Sequence, residues 1–164
     1  MIVGTDSYIT LEEANDYVEA FYTSNDPYRV AWNALNDSDK EIILRNGARA
    51  IDSLVLLGRK VLVDQIMEFP RIIRKPFDYC LDPTSYEVPT NVKYAQVEVA
   101  LSSIDTKIQN RKDLINAGVT SFRIGDLSEN YSPKSDLAVA SKLYYSSKAV
   151  QLMTDYIGGT CRVE

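Results

Sequence analysis

The sequence predicts a mainly α fold: a helical bundle of about four helices, with a small β-hairpin and a C-terminal helical arm. Three observations predict it. The stretch 38–55, SDKEIILRNGARAIDSLV, carries apolar residues at helical spacing, and three further stretches share that period. Gly125-Asp126 stands between two short segments, 119–124 and 127–131, which is the pattern of a tight hairpin. A change of pattern near Pro133 divides the chain into residues 1–132, a helical domain containing the hairpin, and residues 133–164, a C-terminal helix and tail.

The stretch 38–55 is the element around which the rest is expected to pack. Ser38 with Glu41 three residues on reads as a capping box. Leu44, Ala48, Ile51 and Val55 fall on one helical face, flanked by Ile43, Gly47, Ala50 and Leu54. A glycine in a helix interior costs about 1 kcal/mol relative to alanine. Gly47 beside alanines at 48 and 50 therefore predicts that another element crosses closely there. Trp32, the only tryptophan, is placed to pack over the start of this helix.

The other elements follow in order. Residues 1–9 read as extended. Thr10 and Glu13 form a second capping box for a helix over 11–22, with Ile9 stapled onto Ala14 and a buried stripe of Leu11, Ala14, Val18 and Phe21. Residues 23–27 read as a loop, and Gly58 as the end of the central helix. Residues 65–71 read as a packed connector in which Phe69, before Pro70, fills a gap in the core. Residues 77–88 read as an irregular, proline-rich loop.

A helix over 91–108 follows, with Val92, Ala95 and Val99 on one face and Val97, Leu101 and Ile104 on another. A helix apolar on two sides lies between neighbours or touches another subunit. A last helix is expected over 136–157, broken near Ser146, with a stripe of Ala149, Leu152, Met153 and Tyr156. Apolar residues on several sides of it suggest a docking arm using Tyr144, Tyr145, Leu152, Met153 and Tyr156; the alternative is a helix packed back on its own domain.

Composition narrows the function. At 164 residues the chain suits one domain with a real core. Its net charge of −5 argues against a surface built to hold nucleic acid, which needs a basic one. Two cysteines, Cys80 and Cys161, make a disulfide framework a poor expectation and favour a reducing compartment. The N-terminus lacks the basic and apolar regions of a signal peptide, and no apolar run is long enough to span a membrane. Histidine is absent, which removes the commonest general base and metal ligand. Glu12-Glu13 and the pair Asp37 and Asp39 are carboxylates favoured at helix starts by the macrodipole. No catalytic, metal or cofactor site is expected, and the chain does not read as an enzyme. Eleven tyrosines give large contact area with polar tips, which suits interfaces and half-buried packing alike.

Several stretches together resemble one family: DSYITLEEANDYV, AWNALNDSDKEIILRNGARAID, DQIMEFPR, VPTNVKYAQVEVAL and FRIGDLSENYS, in that order. They look like the small tailed-phage proteins often labelled DnaT-like single-stranded-DNA-binding proteins, which are similar to head–tail connector, or adaptor, proteins. Phe69 stands where that family usually has tryptophan. The connector resemblance implies a structural subunit of the phage neck, made in the host bacterial cytoplasm and carried in the virion. It implies a dodecameric ring under the portal protein, a stopper or tail-completion protein below, and DNA passing through without specific binding. The other label implies single-strand binding, for which Arg71, Arg74 and Lys75 are the candidate contacts. The acidic balance favours the connector, because a channel wall that repels phosphates lets DNA slide.

Overall fold

The computed structural model describes residues 1–73, 86–105, 121–124, 127–130, 142–143 and 146–158. Among them are five helices and two two-stranded antiparallel sheets: α1 (Leu11–Phe21), α2 (Pro27–Asn33), α3 (Asp37–Asp52), β1 (Arg59–Lys60), β2 (Arg71–Ile72), α4 (Thr90–Ile104), β3 (Ser121–Ile124), β4 (Leu127–Asn130) and α5 (Ser147–Met153). The mainly α architecture with a small hairpin is as expected. The hairpin pairs β3 with β4 in the predicted register, with Ile124 opposite Leu127.

Local chemistry sets the helix ends. Thr10 caps α1 with the full reciprocal box: its side chain accepts from the Glu13 N–H at 3.1 Å, and Glu13 accepts from the Thr10 N–H at 2.9 Å. α2 is an addition to the expected elements. Asp26 caps it and Pro27 occupies the first turn, where a missing N–H costs nothing. For α3 the cap is Asn36, which accepts from the Asp39 N–H, and not Ser38. Glu41, the other half of the expected Ser38 box, is held instead by the N-terminal ammonium at 3.0 Å and by Arg45 at 2.9 Å. α3 also ends sooner than expected, at Asp52, so Val55 lies beyond the helix and is exposed. Gly58 takes a left-handed φ of 72° in the turn towards β1, where a Cβ would come within 2.1 Å of the Ile72 carbonyl oxygen.

α4 is the centre of the packing. Its two apolar faces enter two clusters. Val92, Ala95 and Val99 join Tyr8, Ala48, Ile51, Leu54, Met67 and Phe69. Val97, Ala100 and Leu101 join Ile9, Ala14, Val18, Trp32 and Leu44. Leu44, Ile51, Phe69 and Val99 are all buried as expected, but Leu44 belongs to the second cluster and the other three to the first. α3 crosses α4 at Gly47, where an added Cβ would lie 2.8 Å from the Gln96 carbonyl oxygen. The crossing that the glycine predicts is this one.

The expected C-terminal arm is, in its described part, a core element. Leu143, Ala149 and Met153 are fully buried in the first cluster, with Val150, Leu152, Tyr156 and Ile157 packed against it. The Leu57 N–H donates to the Tyr156 carbonyl at 2.8 Å, and the Gly158 N–H to that of Val55 at 2.9 Å. The break expected near Ser146 is present: Ser146 caps α5 by accepting from the Ala149 N–H. The expected helix residues 106–108 and 136–141, most of the proline-rich loop (77–85), the hairpin turn 125–126 and both cysteines, Cys80 and Cys161, lie outside the described residues.

Candidate functional site

Two buried polar side chains of α4, neither predicted from the sequence, fasten the bundle. The Gln96 amide donates to Ser7 Oγ at 2.8 Å and to the Leu44 carbonyl at 2.9 Å, and its oxygen accepts from the Tyr8 N–H at 2.8 Å. One side chain thus ties the N-terminal segment, α3 and α4 together. Glu98 is buried, and the hydroxyls of Tyr17 and Tyr22 donate to its carboxylate at 2.7–2.8 Å. Lys148 of α5 stands 3.8 Å from Glu98, donates to the Tyr22 hydroxyl at 2.9 Å and covers the Tyr22 ring at 4.1 Å. Burial first, then the adjoining carboxylate, pushes both tyrosine hydroxyls well above their ordinary range. A buried carboxylate could signal acid–base chemistry. Here its ligands are protein hydroxyls and an ammonium, so its role is to join α1, α4 and α5.

A second network surrounds Phe69. The Tyr8 hydroxyl donates to Asp52 and accepts from the Phe69 N–H at 3.3 Å. The Phe69 ring meets Tyr8 and Tyr156 edge-on at 5.8 and 5.5 Å. Burial raises Asp52 above the usual carboxylate range against the lowering effect of the Tyr8 hydrogen bond. Phe69 fills the gap in the core that its position before Pro70 suggests.

The candidate contacts for nucleic acid are placed as follows. Arg71 is committed to its own loop. Its guanidinium pairs with Glu68 and donates to the carbonyls of Leu57 and Gly58 at 2.8 Å each and of Leu56 at 3.4 Å. Arg74 and Lys75 lie outside the described residues. Other cations are engaged too: Arg45 with Asp6 and Glu41, Lys60 with Glu68, Lys93 with Glu13, Arg29 with the carbonyls of Glu19 and Tyr22, Lys142 with the Ser53 carbonyl. Arg49 and Arg59 present cations without an intramolecular partner. Of the candidate docking residues, Met153 is a core residue, Leu152 and Tyr156 are half-buried against the same core, and Tyr144 and Tyr145 lie outside the described residues.

The exposed apolar residues among those described lie elsewhere; besides Ile2 and Val3 near the N-terminus and Ile42 on α3, they fall in two places. One is a short ribbon. β1 and β2 pair antiparallel, Arg59 opposite Ile72 and Lys60 opposite Arg71, and the Val61 N–H donates to the Pro70 carbonyl. At its tip Leu62, Val63 and Ile66 are exposed, Val63 completely. The tip is braced from within: Gln65 accepts from the Leu62 N–H at 3.1 Å and donates to the carbonyls of Met67 and Pro70 at 2.9 and 3.1 Å. Val55 and Leu57 at the ribbon's base are also exposed. The other place is the corner where α1 meets α2. Phe21, expected in the core, is 60% exposed, with its ring against Tyr17 at 4.6 Å and Tyr94 at 5.7 Å. Val30 on α2 is 55% exposed. Along the outer side of α1, Glu12, Asp16 and Glu19 repeat at i, i+4 and i+7, all exposed.

Among the described residues no group of three or more His, Cys, Asp or Glu side chains could hold a metal ion, and no helix is long and apolar enough to cross a membrane. What the fold and its surfaces define, among the described residues, is a small helical domain with polar groups turned inward as fasteners and apolar side chains exposed at several separate places. The model of the family described as "Putative DnaT-like ssDNA binding protein" matches residues 1–162, and the chain belongs to that family. No curated protein and no solved structure matches it.

Proposed function

We propose that this chain is a structural ring subunit of a tailed-phage neck, a head–tail connector that sits below the portal and extends the DNA channel. The observation that carries the reading is that exposed apolar side chains occur on separate parts of one small chain: the 62–66 tip, Phe21 and Val30, and Ile2, Val3 and Ile42. Unlike surfaces on one subunit suit head-to-tail association, and head-to-tail contacts that close make rings. A dodecamer would match the portal above it, with a stopper or tail-completion protein below. Carboxylates such as Glu12, Asp16 and Glu19 on the outer side of α1 suit a channel wall, since they repel passing phosphates. No catalytic role and no cofactor form part of the proposal.

A second reading, single-strand DNA binding, is favoured by the description of the family. Such binding uses a basic groove with aromatic platforms. Phe21 and Tyr94 could serve as a platform, yet α1 beside them is acidic, and Arg71 is engaged in its own loop. Fluorescence anisotropy of labelled oligo-dT at physiological salt separates the readings. The connector reading expects no saturable binding at micromolar protein. Submicromolar binding that weakens steeply with added salt would replace it by the second reading, with Arg74 and Lys75 the first residues to change.

A further inference from the structure

We infer that the foot of the β1–β2 ribbon is a proton-operated joint: a proton taken up by Asp52, at the end of α3, leaves Glu68 wholly to Lys60 and Arg71 and firms the ribbon against the bundle. The joint is built into the fold and stands under either reading of function.

One side of the joint is fixed. Tyr8 is fully buried, and its N–H donates to the Gln96 side-chain oxygen of α4 at 2.8 Å. Its hydroxyl donates to Asp52, the last residue of α3, and accepts from the Phe69 N–H at 3.3 Å. The Glu68 N–H also bonds the Asp52 carboxylate. Asp52 is thus the point where the N-terminal segment, α3 and the chain entering β2 meet.

The other side is a set of charges. The Glu68 carboxylate pairs with Lys60 of β1 at 3.1 Å and with Arg71 of β2. Lys60 reaches on to the carbonyls of Gln65 at 3.4 Å and Ile66 at 3.5 Å. Arg71 reaches on to those of Leu56, Leu57 and Gly58. Glu68 is therefore the clasp of the ribbon, because its two oxygens hold both cations that tie the backbone. Asp52 works against the clasp. Its charge and that of Glu68 repel each other, and Lys60 stands near enough to act on both. Beyond these groups are Arg49, three residues back on α3 and exposed, Lys142, which bonds the Ser53 carbonyl, and Tyr156, which packs on the Phe69 ring.

The sign follows from the surroundings. Burial first, with the Glu68 charge adding to it, lets folded Asp52 keep a proton at higher pH than the unfolded value of about 3.9. A carboxylate raised in this way costs stability while ionised, and the cost is relieved as pH falls through its folded value. Protonation ends the repulsion of Glu68 and the claim on Lys60. Asp6, Glu13 and Glu41 act in the opposite sense. Bonds to the Ile2 N–H, the Thr10 N–H and the N-terminal ammonium hold them low, so what they contribute is lost as pH falls. Global stability mixes the two signs, and the joint has to be read at the ribbon itself.

Two measurements on the full-length chain test this between about pH 7 and about pH 4. Carbon-detected NMR follows the Asp52 carboxyl. Hydrogen exchange, corrected for intrinsic rates, follows the Val61 and Leu62 amides, which bond the Pro70 carbonyl and the Gln65 side chain. Asp52 should titrate above about 3.9, and protection of both amides should rise several-fold across that titration. Asp52→Asn keeps an oxygen for the Tyr8 hydroxyl and the Glu68 N–H and removes the charge. Its two amides should already be as protected at neutral pH as the parent's are in acid, and should change little with pH. Asp64, beside the tip, is present in both proteins and cancels in the comparison. An Asp52 carboxyl that titrates at or below about 3.9 overturns the inference without any variant. So does protection that follows pH equally in parent and variant, or a folded variant less protected than the parent at neutral pH. If the variant does not fold, the parent decides: protection that stays flat or falls while Asp52 takes its proton overturns the joint.

Discussion

Gly47 shows how much one residue can reveal through its cost alone. A glycine among alanines in the middle of a strong helix weakens it, so something must require it, and the Gln96 carbonyl lies where a Cβ would go. Gly47→Ala sets a helix-propensity gain of about 1 kcal/mol against forcing backbone from backbone. The obstacle is a carbonyl oxygen on a packed helix, so the second effect should win, with a net loss of about 1–3 kcal/mol in urea denaturation. Gln96 and Glu98 are not legible in the same way. Both interrupt the apolar pattern of α4, and only the fold brings Ser7, Tyr17 and Tyr22 to them. Tyr17 and Tyr22 predict a pH dependence. Their hydroxyls ionise at higher pH folded than unfolded, so the stability they contribute is fully present below the unfolded value of about 10 and is lost as pH rises beyond it. Melting temperatures should fall above about pH 10, and Tyr17→Phe should lower stability at pH 7 by about 1–3 kcal/mol while flattening that fall.

At the scale of elements, the sequence is most informative where a signal is local. The Thr10–Glu13 box, the two faces of α4, the β3–β4 register and the cap at Ser146 all follow from neighbours in the chain. The β1–β2 ribbon escapes a sequence reading because each strand is two residues long and its pairing joins loops without period. α2 escapes because seven residues are too few to show a period, although Asp26-Pro27 announces its start. The last helix reads as an arm because its apolar residues face more than one side; what covers them is the face of α4 bearing Val92, Ala95 and Val99. Met153, fully buried there, should cost about 2–5 kcal/mol when replaced by alanine, measured by urea denaturation. Removing residues 134–164 should abolish the cooperative thermal transition. A remainder that melts sharply near the parent temperature would show that α5 is dispensable to the core.

For the whole molecule, the distribution of charge and apolar surface carries the functional account. The chain is acidic overall, its described cations mostly serve as internal fasteners, and apolar side chains are exposed on a braced ribbon, at Phe21 and Val30, and at Ile2, Val3 and Ile42. Such a surface favours contact with other protein over contact with phosphates. Association through exposed apolar side chains should tolerate moderate salt better than DNA binding would, because an apolar contact is little screened. Raising salt from about 0.1 to 0.5 M should therefore leave the assembled fraction largely unchanged, as followed by sedimentation velocity. The central claim is that this chain works as a ring of copies at the portal. The most direct measurement is the native mass of the purified protein alone and after mixing with portal. The account predicts a closed assembly whose subunit number matches the portal ring, formed alone or on mixing. A chain that stays monomeric in both conditions, and gains mass only with single-stranded DNA, would contradict it.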